Sequence, residues 1–236
     1  MAQSATSRLP DGDPRVTLHG RSPAGHRPTT HRPTDDQLLD GASEVFSQVG
    51  FQRATMVALA ERAGTTKPTL YAHFEGKEAL YQRCVDRAAD TLIRFLFAAY
   101  ASATELSLED QVRAGMADFF RYVAEHPAHF LLLFGRQATG AAVDARERLI
   151  ATVRGELARH IRLFTEHRTD GPWGWSADLC ASMLIGATVE GCRRSLDAEG
   201  ADLAEAGEFA TRFALAALGH IDPSAAHRLD ASVPAR

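Results

Sequence analysis

The stretch TMVALAERAGTTKPTLYAHF, residues 55–74, decides the fold of this chain. Its first half, residues 56–63, carries apolar residues at the spacing of one buried helix face. Thr55 precedes them as a natural N-cap. Gly64 can adopt a positive φ without steric cost and so end the helix. This half therefore predicts one short amphipathic helix.

The second half of the stretch predicts another short helix, ending near His73. Thr66 can cap it, and Pro68 is tolerated in its first turn because the amides there lack intrahelical partners. Leu70 and Phe74 would face inward. Two short helices joined by a glycine turn, with an apolar peg on the second, are typical of a helix-turn-helix.

The residues in and around this motif resemble the DNA-binding signature of the tetracycline-repressor (TetR/AcrR) family of bacterial one-component regulators, over residues 36–82. The resemblance rests on Phe51, Thr55, Leu59, Ala60, Ala63, Gly64, Thr69, Leu70, Tyr71, His73, Phe74, Lys77, Glu78 and Leu80. The chain departs from the family pattern at Thr65, where Val is usual, and at Pro68, where Gly or Ala is frequent. The resemblance implies a three-helix DNA-binding head.

Groove chemistry and the resemblance together predict the DNA contacts. The N-terminal residues of such a helix enter the major groove, so Lys67 and Thr69 can reach base edges and Pro68 offers an apolar surface. The resemblance implies phosphate contacts at several further positions. The whole predicted set is Thr55, Thr65, Thr66, Lys67, Pro68, Thr69, Tyr71, His73 and Lys77. The alternative is that Tyr71 and His73 pack within a helix-turn-helix used for protein contact.

Composition and charge constrain where DNA can bind. The chain has 236 residues, 45% of them hydrophobic and 24% charged, with a formal net charge of −4. These proportions are ordinary for a globular protein, and the negative balance excludes a uniformly basic surface. DNA affinity must therefore come from a local patch, used twice in a dimer.

The sequence predicts an all-α fold of about nine helices, divided into four parts. Residues 1–33 hold five arginines and little apolar periodicity, and read as a disordered basic arm that either touches DNA or has no role. Residues 34–81 form the head, which opens on a capping box at Thr34. Residues 82–222 form a ligand-binding and dimerisation bundle, and residues 223–236 a flexible tail.

The resemblance implies that the bundle binds a small molecule among its middle helices. The apolar candidates for lining that cavity are Phe95, Tyr100, Met116, Phe120, Phe130, Phe134, Trp175 and Met183. The alternative is that most of them are ordinary core residues.

The resemblance also implies a homodimer through the last two helices, predicted here at about Trp175–Asp197 and Ala201–Ile221. Small residues on both would permit close helix approach: Ala181, Gly186, Ala187, Gly191, Ala210, Ala214 and Ala217. A conventional core within one chain is the alternative explanation.

Enzyme chemistry finds little support in the sequence, which has no phosphate-binding glycine loop, nucleophile elbow or paired-acid motif. His126 and His129 have a spacing that can share a metal, but no nearby residue completes the ligand set. The three cysteines form no CxxC motif, which suits a reducing cytoplasm. We expect no catalytic residue, metal or cofactor; a redox-sensing Cys192 paired across a dimer is the alternative.

The function predicted is therefore a cytoplasmic, ligand-responsive repressor. It would bind a pseudo-palindromic double-stranded DNA operator as a homodimer, away from any membrane, and be released by a small, largely apolar effector. The alternative is a helical ligand-binding or protein-interaction protein without operator function.

Overall fold

The computed structural model of the protein describes residues 33–102, 106–166, 171 and 173–233, and of residues 99–102 and 108 only the backbone. These residues form ten helices and no strand, which confirms the predicted all-α fold. The helices are α1 Asp35–Arg53, α2 Met56–Arg62, α3 Lys67–His73, α4 Lys77–Ser102, α5 Leu108–Glu125, α6 Pro127–Phe134, α7 Ala141–Glu166, α8 Trp175–Asp197, α9 Leu203–Gly219 and α10 Pro223–Ser232. The predicted basic arm lies outside the described residues, apart from Pro33.

The first three helices begin at the capping residues that the sequence indicates, although α1 continues past Gly50 to Arg53. Thr34 and Gln37 form the capping box of α1, and Gly50 interrupts that helix with a φ of 77°. The Thr55 hydroxyl accepts a hydrogen bond from the Ala58 amide at the start of α2. Gly64, with a φ of 63°, makes the turn between α2 and α3.

A continuous apolar core joins the head to the first helices of the bundle. Leu38, Leu59 and Leu70 are fully buried, one from each of α1, α2 and α3. The same cluster continues through Val85 of α4 to Phe130 of α6. Since α4 contacts α1 as well as α5, α6 and α7, it is the helix that the two regions share.

The remaining helices pack in pairs. Helix α5 lies against α9, and α7 lies against α8. A second, smaller core cluster around Ile161, Trp173 and Ala181 holds the end of α7 to the start of α8. Among the described residues, no helix is both long enough and apolar enough to cross a membrane.

The segment expected to be a flexible tail forms α10 instead. Asp222 caps this helix by accepting from the Ser224 amide, and Pro223 occupies its first turn. Asp230 then reaches across to α8, where its carboxylate accepts from the Gly174 amide at 2.7 Å and from the Ser176 amide at 2.6 Å. The segment has little apolar periodicity, so its order depends on these polar contacts, which sequence spacing does not reveal.

Candidate nucleic-acid interface and ligand cavity

One face of α3 is exposed to solvent. It consists of Lys67, Pro68, Tyr71 and Ala72, which recur at the spacing of a single helix face and are called the recognition face below. The Tyr71 ring is 53% exposed, whereas Leu70 on the opposite side is fully buried. The buried peg therefore fixes which residues α3 presents outward.

Three of the predicted threonines build the turns around α3. The Thr66 hydroxyl accepts from the Thr69 amide, and the hydroxyls of Thr66 and Thr69 lie 2.9 Å apart. The Thr65 amide donates to the Ala60 carbonyl at 2.9 Å, which closes the end of α2. These side chains and amides fix the angle between α2 and α3, and the Thr66 hydroxyl remains at the exposed start of α3.

The structure gives His73 and Lys77 partners within the head. His73 Nδ1 lies 2.6 Å from a carboxylate oxygen of Asp35, which ties the end of α3 to the start of α1. Lys77 Nζ donates to the Ala54 carbonyl at 3.1 Å and lies 4.5 Å from the centre of the Phe51 ring. Both residues were predicted to contact phosphate, and both position helices of the head here.

The charges near the recognition face are mixed. Lys67 carries an exposed ammonium at the start of α3. Arg62 forms an ion pair with Glu44, and the Arg53 guanidinium donates to the Val49 carbonyl. Because exposed ion pairs are weak in water, Arg62 keeps much of its positive field. The head is thus only moderately basic.

Two polar joints connect the head with the bundle, and no sequence motif indicates either. Arg87 of α4 lies 2.9 Å from the Asp40 carboxylate and donates to the Asp36 carbonyl, which fastens α1 to α4. The Tyr81 hydroxyl donates to the Thr139 carbonyl at 3.2 Å, in the loop between α6 and α7. Burial raises the pKa of Tyr81. The phenol therefore stays protonated as a donor at neutral pH.

The same loop rests on the helix break in α1. A Cβ atom added at Gly50 would lie 3.0 Å from the side-chain oxygen of Gln137 and 3.2 Å from its Cβ. The close approach and the positive φ both favour glycine at this position. The loop, residues 135–140, therefore contacts the head at two points.

A cavity of about 100 Å³ lies among the middle helices. Helices α4, α5, α7, α8 and α9 all contribute to its wall. The lining residues are Leu96, Gln111, Val112, Gly115, Met116, Phe119, Val153, Leu157, His160, Leu184, Ile185, Thr188, Val189 and Ala214. Of the seven predicted ligand residues whose side chains the structure describes, Met116 alone lines this cavity.

The other predicted ligand residues lie elsewhere. Phe130 and Phe134 stack on each other in the core, with ring centres 5.1 Å apart. Phe120 is buried against α9 at Gly207, and Phe95 packs on Tyr122. Trp175 and Met183 are exposed, and the Tyr100 side chain lies outside the described residues. Several large apolar side chains that were predicted to line the cavity belong to the core instead, because periodicity alone cannot distinguish a core position from a cavity wall.

The polar groups in the cavity wall already have partners in the protein. The Gln111 amide nitrogen donates to the Leu106 carbonyl at 2.9 Å, and the Thr188 hydroxyl donates to the Leu184 carbonyl at 2.7 Å. His160 Nε2 lies 3.4 Å from the Glu156 carboxylate. Burial, followed by the nearby Arg159 cation, lowers the pKa of His160 below its ordinary value. Its imidazole is therefore neutral at pH 7.

A second apolar surface lies on the outside of α8 and α9. Met183, Phe209 and Phe213 are 62%, 75% and 56% exposed. Three exposed small residues accompany them, and the six together are called the α8–α9 face: Met183, Gly186, Ala187, Phe209, Phe213 and Ala217. Of the predicted small residues, Ala181 and Ala214 are instead buried within the chain.

The cysteines and the histidine pair have little reactive character. Burial raises the pKa of Cys84 and of Cys192 to about 12, so both thiols stay protonated. His126 and His129 stack with ring centres 5.3 Å apart, and burial lowers the pKa of His129 to about 4. In the described part of the chain, no three His, Cys, Asp or Glu side chains gather as a metal site.

Comparison with known proteins gives this geometry a family context. Residues 38–84 match the family described as bacterial regulatory proteins, tetR family. The HTH-type transcriptional activator FasR of Mycolicibacterium smegmatis is 29% identical over 205 residues, which cover 85% of this chain and 91% of that protein. The HTH-type transcriptional repressor ComR of Escherichia coli K12 is 36% identical over 89 residues, covering 38% of this chain and 40% of that protein.

A solved structure shares the fold. The crystal structure of a TetR-like transcriptional regulator from Rhodococcus sp. RHA1 superposes with a TM-score of 0.60 at 25% identity. The match covers 79% of this chain and 96% of that one. The similarity therefore extends from the head through most of the bundle.

Proposed function

We propose that this chain is a transcriptional regulator of the TetR family, and that it represses transcription as a homodimer that a small, largely apolar effector releases from DNA. Its relatives regulate transcription and are not enzymes. The observation that carries the proposal is the recognition face of α3, held outward by the buried Leu70.

The predicted DNA contacts divide into three roles in this proposal. Lys67 reaches guanine acceptors in the major groove, Thr69 reaches a base edge, and Pro68 lies against a base edge without donating a hydrogen bond. The Tyr71 hydroxyl donates a hydrogen bond to the phosphate backbone of the DNA. Thr55 and Thr66 cap α2 and α3 and offer hydroxyls to phosphates, while Thr65 closes the end of α2. His73 and Lys77 act mainly by holding α3 and α4 in place, since both have partners inside the head.

Dimerisation through the α8–α9 face supplies the second head. Exposed Phe209 and Phe213 bring apolar area that water solvates poorly, and aromatic residues are frequent at the centres of interfaces. Gly186 and Ala187 leave room for the aromatic rings of the other copy. Two heads then read two half-sites separated by one or more turns of DNA, which calls for a pseudo-palindromic operator.

The effector binds in the cavity, and α7 carries its influence to the head. Val153, Leu157 and His160 of α7 line the cavity, while the loop before α7 contacts Gly50 and Tyr81. The loop before α7 and the first cavity residue on α7, Val153, are about 20 Å apart along the helix axis, at ~1.5 Å rise per residue. If the ligand binds more tightly when α7 is in one position than in another, it shifts the equilibrium between the two positions of the head by that difference in affinity.

Retardation of the protein's own upstream intergenic DNA tests this proposal. The wild-type protein should bind with an affinity that falls steeply with salt, because phosphate contacts release counterions. The Lys67→Ala, Tyr71→Ala double variant should bind at least about tenfold more weakly. The control is Arg113→Ala, which removes an exposed cation paired with Glu109 on α5.

The outcomes separate the alternatives. Equal affinity of the double variant and the wild type would show that α3 is not the interface. If no DNA is retarded, selection from random DNA tests whether the operator lies elsewhere. A protein that selects no DNA is then a ligand-binding or protein-interaction protein, and repression is excluded.

Activation is a second candidate, and a specific observation favours it. The relative that matches along 85% of this chain is a transcriptional activator. The same head can place a dimer upstream of a promoter instead of over it. A reporter fused to the upstream DNA distinguishes the two, since deletion of the regulator raises expression from a repressed promoter and lowers it from an activated one.

A further inference from the structure

The wall of the cavity carries no full charge in the described part of the chain. Its fourteen residues include no Asp, Glu, Lys or Arg. Glu156 and Arg159, which contact or adjoin His160 on α7, pair with each other. A charged ligand placed inside would therefore lose its hydration without gaining an ion pair, which strongly disfavours binding.

The size of the cavity limits what it can enclose. An apolar protein cavity of about 150 Å³ holds one benzene molecule. The cavity here, at about 100 Å³, is smaller, so it encloses at most a single ring or a short branched group. Met116 lines the cavity, and its flexible thioether side chain can adapt to modest differences in ligand shape.

The polar atoms of the wall favour a hydroxyl group. The Gln111 amide nitrogen donates one hydrogen to the Leu106 carbonyl, which leaves its second N–H as a donor and the amide oxygen as an acceptor, and a ligand hydroxyl can pair with either. Thr188 is already hydrogen-bonded to α8 and lies 3.5 Å from the Met116 sulfur. An uncharged hydroxyl on the ligand suits this set better than an anion does.

We propose that the cavity takes an uncharged ligand with a ring-sized apolar body and one hydroxyl group, which hydrogen-bonds to Gln111. This inference rests on the proposed function, because it names the class of effector for that same cavity. Molecules with a carboxylate, phosphate or ammonium group are excluded from the cavity itself.

Three fluorinated probes with one ring scaffold test the proposal by ¹⁹F NMR: fluorobenzene, 4-fluorophenol and 4-fluorobenzoate. We expect 4-fluorophenol to bind more tightly than fluorobenzene and 4-fluorobenzoate to bind about a hundredfold more weakly than either. The Gln111→Leu variant should bind the phenol and fluorobenzene equally. A benzoate that binds as tightly as the phenol and competes with it would overturn the proposal.

A pair of matched variants ties the signal to the cavity. Val112→Phe adds a ring to the cavity wall and should abolish binding of fluorobenzene. Leu163→Phe makes the same kind of enlargement on the exposed surface of α7 and should leave binding unchanged. Circular dichroism checks that both variants keep the helical content of the wild type. Unchanged binding by Val112→Phe would place the probe outside the cavity and overturn the inference.

DNA retardation on the same preparations separates this inference from the proposed function. A protein that retards DNA but binds no ring probe refutes the ligand class and leaves the regulator intact. A protein that binds the phenol in the cavity but selects no DNA supports the ligand class and refutes regulation.

Discussion

Two helix faces of this protein are exposed for opposite chemical reasons. The recognition face presents an ammonium and a phenol, which water solvates well, on a helix of only seven residues. The α8–α9 face presents two phenylalanines and a methionine, which water solvates poorly, on helices of 23 and 17 residues. The first is suited to a polyanion and the second to another apolar surface.

In the proposed function, the two faces act together. A single head of mixed charge would contact only a short DNA half-site, so strong binding would require two heads. The α8–α9 face can bring a second copy, while α4 and its core connect each head to its bundle. Each face is therefore incomplete without the other.

The largest effect should follow from breaking the α8–α9 face. In the proposed dimer, Phe209→Glu together with Phe213→Glu would place four carboxylates in a symmetric interface that would otherwise bury four rings. At about 1 kcal/mol for each of the four rings, the dimer dissociation constant should rise by about three orders of magnitude. Sedimentation velocity measures the change, and DNA affinity should fall with it.

Leu163→Glu provides the control for that variant. Leu163 is also an exposed apolar residue, 48% accessible, but it lies on α7 and outside the α8–α9 face. Its substitution should leave the sedimentation coefficient unchanged. A double variant that sediments like the wild type would show that copies do not associate through α8 and α9.

The next largest effect concerns the core beneath the recognition face. Leu70 is fully buried, so Leu70→Ala should lower the free energy of unfolding by about 3 kcal/mol. The loss combines apolar transfer with the cavity left behind. Urea denaturation measures it, and Leu163→Ala, which trims an exposed side chain, should cost far less. A small cost at Leu70 would mean that α3 is not held by this contact.

The two helices of the helix-turn-helix, α2 and α3, could be predicted from sequence to within a residue because their signals are local. Thr55, Gly64 and Thr66 each act on the backbone within a few positions, and the structure shows all three as caps or turns. Helix α8 was also placed correctly, from Trp175 to Asp197, since both ends are marked by breaks in the apolar pattern. Such signals depend on no distant contact.

The cavity and the tail were not predictable in the same way. Val153 and Leu157 line the cavity, but an apolar residue on a long helix looks the same in sequence whether it faces a core or an opening. Helix α10 depends on Asp230, whose partners lie more than 50 residues earlier in the chain. Contacts of that range leave no periodicity to detect.

A smaller effect is expected where α10 meets α8. The Asp230 carboxylate caps α8, whose own N-cap residue is Gly174, without a side chain. Asp230→Ala should lower the free energy of unfolding by about 1 to 2 kcal/mol, as measured by urea denaturation. Glu199→Ala, in the exposed loop between α8 and α9, is the control. Equal stability of the two variants would contradict a capping role.

The same carboxylate gives a pH dependence with a definite sign. Burial alone would raise the pKa of Asp230, but the hydrogen bonds from Ser176 and Gly174 outweigh it and hold the pKa below its ordinary value. The Asp230 carboxylate therefore binds a proton less readily in the folded protein than in the unfolded chain. The stabilisation is present above about pH 4 and is lost as the pH falls through the lower pKa that Asp230 has in the folded protein. In Asp230→Ala, this part of the acid sensitivity should disappear.

The smallest effect tests how the cavity reaches the recognition face. Tyr81→Phe deletes the hydroxyl that donates to Thr139 but keeps the ring that packs on Phe46 and Phe51. The variant should lose about 1 kcal/mol of stability, and saturating 4-fluorophenol should weaken its DNA binding about threefold less than in the wild type. Tyr122→Phe is the matched control, since that buried hydroxyl donates to Ala88 away from the loop. If both variants lose stability equally and respond equally to the phenol, the loop before α7 is structural only, and the cavity communicates with the recognition face through α4, whose Leu96 lines the cavity.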